Sequence, residues 1–203
     1  ALQSGGVDSI FVRNPEVVSR AQDAGLPGFA ETTALGSIVQ INNRAGHPGA
    51  DLRVRTALAL AIDPEAVNQR AWGGEGRPGS EIFQSDSAWH NGTPPLEQDL
   101  DEARALLDEA KADGYDGKIR YLTQNEQTAQ NQALAVQAML QAIGFDVTVD
   151  YATGPGDVLR KVHVEHDFDL AAGGWNLLDA APFMRLQNNL ASDSNNNNLG
   201  YDD

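Results

Sequence analysis

Apolar and polar positions repeat along this chain in two periods, near 3.6 and near 2, and each change of period marks an element. Gly6 to Val12 is a short apolar run broken by Asp8 and Ser9, which predicts a buried strand. Asn14-Pro15 sets a cap residue before a proline suited to the first helical turn, so a helix is expected to about Ala24. Residues 25–34 read as loop. Ser37 to Asn42 alternates and runs into Asn-Asn, a strand followed by a turn. Asp51 caps a helix with Val54, Leu58 and Ala61 on one face, and Asp63-Pro64 opens another to about Trp72. From Gly73 to Gln98 the chain is rich in Gly, Pro, Ser and Asn, with Trp89 and His90 embedded. Such a segment is too long for a passive connection and reads as a lid or binding segment. Asp99 begins a helix striped by Leu100, Ala103, Leu107 and Ala110, which Gly114 ends.

The periods then alternate regularly. Lys118 to Leu122 is strand-like, and Thr123-Gln124-Asn125-Glu126 has the spacing of a capping box. Ala129, Ala133, Val136, Leu140 and Ile143 share a helical face that Gly144 closes. Phe145 to Tyr151 alternates Phe, Val and Val with Asp, Thr and Asp; Gly154-Pro155 opens a helix through Val162; Phe168 to Trp175 is a further strand. This β-α-β-α-β order implies parallel strands and an α/β fold. Ala181 to Leu190 is expected to be helical and Asn188 to Asn198 to be loop, and there is no internal repeat.

In open α/β sheets ligands bind at the carboxyl ends of parallel strands, where the strand order reverses. Those ends are Thr123-Gln124-Asn125, Thr153-Gly154 and Gly173-Gly174-Trp175-Asn176. Two glycines allow a close backbone approach to a ligand, and Trp175 offers a flat apolar wall with an N–H donor. The alternative is that Trp175 fills core and the glycines make a turn.

Composition narrows the chemistry. The 203 residues carry 29 acids against 14 Lys and Arg, a formal net charge of −15, and no window forms the basic stripe that nucleic-acid binding needs. Cysteine is absent, which excludes a disulfide scaffold, thiolate nucleophiles and Cys-based metal sites in this chain. The longest apolar run, Ala57 to Ile62, falls far short of the roughly 20 residues that span a bilayer. There is no Gly-x-Ser-x-Gly elbow and no dinucleotide fingerprint, and Gly73-Gly74-Glu75-Gly76 lacks the Lys-Ser/Thr of a phosphate loop. Asp101, Glu102, Asp108 and Glu109 are scattered over a solvated helix face. His163 and His166, with Glu165, are either an i, i+3 metal pair or solvated residues near a helix end, and Asn91-Gly92-Thr93 is a glycosylation sequon of a kind common by chance. A hydrolase or transferase on this core would use Asp179 or His166 as its base, and no nucleophile or metal set accompanies either. No catalytic residue, metal or cofactor is expected.

Four segments carry a likeness to a known family. Asn42, followed by Asp51-Leu52-Arg53-Val54-Arg55-Thr56-Ala57-Leu58-Ala59-Leu60-Ala61-Ile62-Asp63, resembles the signature of the family 5 extracellular solute-binding proteins. These are the oligopeptide-, dipeptide- and nickel-binding components of ABC transporters. Leu2-Gln3-Ser4-Gly5-Gly6-Val7-Asp8 resembles their upstream step. Asp101 to Ala110, with Gly114-Tyr115 and Gly117, resembles their Ala-x-x-Leu-Leu helix and its Gly-Tyr end. Gly174-Trp175, Pro182, Asp193-Ser194-Asn195-Asn196 and Tyr201 resemble their Trp…Pro…Asn-Asn…Tyr stretch.

The resemblance implies a lobe of the type II periplasmic-binding-protein fold, a mainly parallel sheet flanked by helices, as an internal fragment of a two-lobed protein. Residues 1–36 would end lobe one, 37–203 would form lobe two, and the first hinge crossing would lie near 37–43. It implies a monomeric, extracytoplasmic receptor, free or lipid-anchored, that delivers a small-molecule or peptide ligand to the membrane permease subunits of an importer. Ligand contacts would come from Trp175, Asn176 and Asp179, with Asn125 and Trp89. In peptide-binding members an aspartate three residues after the tryptophan pairs with the ligand's α-amino group. Here that position is Leu178, and Asp179 follows it. This departure gives weight to sugars or other uncharged solutes, held by Trp175 stacking and Asn or Gln hydrogen bonds, and a sugar-, opine- or nickel-type binder of the same family is the alternative to a peptide receptor.

Overall fold

The computed structural model describes residues 2–202; Ala1 and Asp203, the outer limits of the two expected lobe segments, lie outside them. Four strands make one sheet: β1 (Ile38–Ile41), β2 (Lys118–Gln124), β3 (Asp146–Ala152) and β4 (Leu170–Gly173), in the order β1-β4-β2-β3. β2 runs parallel to both β3 and β4, as the alternating periods imply, while β1 is an antiparallel edge on β4.

Local chemistry sets the helices. Helix α1 (Pro15–Asp23) begins at Asn14, whose side chain accepts from the Val17 N–H, with proline in the first turn. Asp51, Asp63 and Asp99 do the same for α2 (Leu52–Ala61), α3 (Pro64–Trp72) and α4 (Leu100–Ala112). Gly73 takes a left-handed conformation to end α3. Then come α5 (Gln127–Ala142), α6 (Pro155–Leu159) and α7 (Phe183–Leu190).

Both faces of the sheet are covered, which a parallel sheet requires. The larger core joins Val54, Ala57 and Leu58 of α2, Leu107 of α4, and Val136 and Leu140 of α5 to Ile119, Tyr121, Val147 and Leu170. Leu122, Ala152 and Ala171 point the other way, onto Val162 and Phe168. Along β2 and β4 the alternation divides side chains between the two cores, whereas along β3 it sets buried Val147 against exposed Asp146 and Thr148. Arg53 ties α2 to the end of α4, donating to Asp51 Oδ2 at 2.7 Å and to Asp113 Oδ2 at 2.6 Å, and its neighbour Arg55 donates to the Ala50 carbonyl at 3.0 Å.

Several expectations are corrected. Gly6 to Val12 is not a strand: it pairs with nothing among the described residues and exposes Phe11 by 82%. The capping box does not form, because Thr123 and Gln124 remain in β2, paired with Tyr151 and Ala152, and Glu126 at the helix start makes no side-chain cap bond. The helix opened by Pro155 gives way after Leu159 to a π-helical turn, Arg160–Glu165, which His166 closes with φ 53°. The strand expected from Phe168 to Trp175 is confined to Leu170–Gly173, since Asn176, with φ 50°, turns the backbone just beyond its end. Residues 188–190 belong to α7 rather than to the following loop.

Candidate ligand-binding site

The strand order reverses between β2 and β4. From β2 the chain crosses through α5 to β3, whereas beyond β4 it returns toward β1 and forms a bridge between Leu177 and Ala34. The carboxyl ends of β2 and β4 are therefore where an open sheet of this order offers a crevice to a ligand. Because β1 is antiparallel, its amino end lies there too, with Ile38 opposite Gly173.

Asn125 stands at the end of β2, exposed, its carbonyl oxygen accepting from Gln130 Nε2 at 2.7 Å. Trp175 and Asn176 follow β4, half-buried, and both their backbone N–H groups donate to the Leu35 carbonyl, at 2.9 and 3.3 Å. Trp175 belongs to neither apolar core, and its indole N–H has no partner among the described residues. That placement suits a wall of the crevice rather than core filling. Asn176 and Leu35 face each other across this junction with φ values of 50° and 52°, both in the left-handed region.

Gly174 is glycine because backbone already lies against it: a Cβ there would collide with the Gly36 carbonyl, whereas one on Gly173 would meet only the movable Gln40 side-chain amide.

Asp179 and Trp89, separated by 90 positions, are in contact. The Trp89 indole N–H donates to the Asp179 carbonyl at 2.8 Å, the Ala88 N–H donates to Asp179 Oδ2 at 3.1 Å, and the Ser87 hydroxyl donates to Oδ1. Trp89 packs on Phe83 with ring centroids 6.5 Å apart and is 53% exposed. Asp179 has no ion-pair partner among the described residues. The structure thus groups Trp175 with Asn176 and Trp89 with Asp179, while Asn125 makes no hydrogen bond to the other four.

Sequence reasoning missed Gln132, buried on α5, whose Oε1 accepts from the Ser37 hydroxyl at 3.2 Å. A polar residue on the apolar stripe beside Ala133 and Val136 was the available signal. The histidines are at the other end of β4. His163 Nδ1 accepts from Asn198 Nδ2 at 2.6 Å, and His166 Nδ1 donates to the Val162 carbonyl at 3.0 Å. His166 Nε2 is left facing the Arg44 guanidinium at 3.5 Å. Burial and the Arg44 charge hold the His166 imidazole below its ordinary pKa. Glu165 is engaged by Arg160, and no group of three metal-ligating side chains occurs among the described residues. Asp179 and His166, flanking β4 at opposite ends, do not form one site.

Comparison with known proteins bears on the fold and the family. The chain is 28% identical over 180 residues to an ABC transporter peptide-binding protein of Brucella ovis, covering 86% of this chain and 34% of that protein. Its fold is similar to that of the ABC transporter substrate-binding protein CtaP of Listeria monocytogenes, with a TM-score of 0.75, 22% identity, and coverage of 99% of this chain and 41% of the other. It is similar also to the murein tripeptide binding protein MppA of Escherichia coli, with a TM-score of 0.72, 22% identity, and coverage of 94% and 38%. The chain thus spans about a third of the length of the curated relative. The model of bacterial extracellular solute-binding proteins, family 5 Middle, matches residues 1–197, and the chain belongs to that family.

Proposed function

We propose that this chain is the greater part of one lobe of a solute-binding receptor that serves an ABC-type importer. Residues 37–203 would form that lobe, residues 1–36 would end its partner lobe, and the hinge crossing would lie near 37–43. The observation that carries the reading is the reversal of strand order between β2 and β4, which sets their carboxyl ends side by side. Trp175 and Asn176 there abut Leu35, the residue through which the chain enters the lobe, so ligand face and crossing are neighbours. Closing two lobes on a solute by rotation about such a crossing captures it without chemistry. Trp175, Asn176, Asn125 and Trp89 are the proposed contacts from this side, with Asp179 at the same strand end holding Trp89. The receptor would be a monomer outside the cytoplasm, free or lipid-anchored, and would hand its solute to permease subunits.

A short peptide is the default solute, following the Brucella relative's name. A second reading, an uncharged solute, is favoured by Leu178 at the position expected for an amine-pairing aspartate and by the two donors already on the Asp179 carboxylate. A calorimetric panel on the intact protein would use trialanine, an oligosaccharide, an opine and nickel. We expect saturable one-to-one binding of one class, with no turnover, and weak or no binding by this chain alone. Turnover without stoichiometric binding would refute the receptor.

A further inference from the structure

Residues 73–98 join α3 to α4 and are fastened at both ends. The Gly76 N–H donates to Asn68 Oδ1 at 2.9 Å, and Gln98 Nε2 donates to the Ala61 carbonyl at 3.0 Å. Between these points the loop is knit to itself. Arg77 pairs with Asp86 at 2.8 Å, Gln84 Nε2 donates to the Arg77 carbonyl at 3.1 Å, Ser80 donates to the Leu96 carbonyl at 3.0 Å, and His90 Nδ1 donates to the Phe83 carbonyl at 3.1 Å. Among the described residues, every hydrogen bond that leaves residues 77–97 ends on Asp179. One donor meets each carboxylate oxygen and a third meets the backbone carbonyl.

We infer that Asp179 is a positioning residue, a latch that fastens the middle of this loop to the strand end carrying Trp175 and Asn176. Its carboxylate suits that task, since an ionised carboxyl group only accepts and can take divergent donors on separate oxygens. Asparagine would keep one acceptor and set an amide N–H₂ against the second donor. Among the described residues its other hydrogen bonds to the rest of the chain lie at its ends, and a loop so tethered opens locally when its middle contact is lost. Trp89, held by the same contact, stays beside Asp179 instead of moving with the loop. The consequence for binding rests on the receptor reading proposed above; the latch itself does not. In that setting Asp179 acts on the solute through the loop, and its removal weakens ligands with and without a free amine equally.

Hydrogen exchange by mass spectrometry on the intact, ligand-free protein tests the latch. In Asp179→Ala, amides of residues 85–90 should exchange about tenfold faster, the factor expected for losing one charge-assisted bond net of its replacement by water. Amides of α4 and α5 should be unchanged. Ser87→Ala, which leaves the carboxylate in place, should produce part of the same effect. Unchanged exchange at 85–90 in both variants overturns the latch. Calorimetry with trialanine and N-acetyl-trialanine tests its consequence. Equal weakening of both in Asp179→Ala supports positioning, whereas selective loss of the free-amine peptide makes Asp179 a charge anchor and overturns it. If neither probe binds the wild type, the peptide reading fails and the exchange result decides the latch by itself.

Discussion

Asn42 is fully buried where β1 leaves the sheet, and three hydrogen bonds converge on its side chain. Nδ2 donates to the carbonyls of His166 and Phe168 at 3.0 and 2.9 Å, and Oδ1 accepts from the Arg44 N–H at 3.1 Å. Replacing it with alanine removes all three, at about 1 kcal/mol each, for a loss of about 3 kcal/mol that does not vary with pH. Aspartate has the same shape and does worse. Two carbonyls face its second oxygen, so the folded state favours the protonated acid. Protonating a carboxyl of ordinary pKa ~3.9 at pH 7 costs about 4 kcal/mol, and one lost donor adds about 1, for about 5 in all. The folded pKa is then raised, the folded state binds the extra proton, and stability falls as pH rises above the unfolded value. The Asp penalty should therefore shrink to about 2.5 kcal/mol at pH 5, and the Ala penalty should stay constant. Equilibrium urea unfolding followed by far-UV circular dichroism, each variant against wild type at the same pH, measures both. An Asp variant milder than the Ala variant at pH 7 would refute the reasoning and would mean that the Arg44 guanidinium turns inward to neutralise the charge.

Other consequences follow from single side chains. Tyr121 is fully buried, its hydroxyl lacks a partner among the described residues, and burial pushes its pKa up. Tyr121→Phe should thus raise stability by about 1 kcal/mol, read from the urea midpoint, because an unmet buried hydroxyl is removed without changing shape. The His166 pKa is depressed, so the folded state binds fewer protons than the unfolded state just below the ordinary histidine value. Stability then falls as pH drops through that range, and His166→Asn, tolerated at φ 53°, should flatten the slope in thermal melts between pH 7 and 5; an unchanged slope would assign it elsewhere. Gly174→Ala should cost roughly 1–3 kcal/mol by driving a Cβ into the Gly36 carbonyl, whereas Gly156→Ala, in open space on a helix, should stabilise by about 0.5–1 kcal/mol.

Much of the fold was legible because its signals are local. The caps at Asn14, Asp51, Asp63 and Asp99 act within three residues, and the alternation along β2 and β4 records which core each side chain enters, as that along β3 records core against solvent. The failures share one cause: a non-local term decided them. Thr123-Gln124-Asn125-Glu126 has capping-box spacing, but pairing with β3 holds its first two residues in the strand. Gly6 to Val12 has strand composition, and composition supplies no partner for its backbone. For the crevice, periodicity placed Asn125 and Trp175 at strand ends, whereas the contact between Ser87 and Asp179, 92 positions apart, had no local trace.

Trp175 apart, the segments that carry the family likeness and the residues proposed to meet the solute do different physical jobs. Asp51 caps α2 while holding Arg53, Arg53 reaches Asp113 on α4, Arg55 closes the turn before α2, and Asn42 pins the chain leaving β1 to the approach to β4. Each is a polar contact between elements, and each keeps the cores registered whatever the solute. Positions 178 and 179 lie instead in a loop and belong to neither core, so a change there leaves the scaffold in place. The same division explains why the family was readable from short motifs and the contact of Trp89 with Asp179 was not: that geometry exists only once the scaffold has brought positions 90 residues apart together.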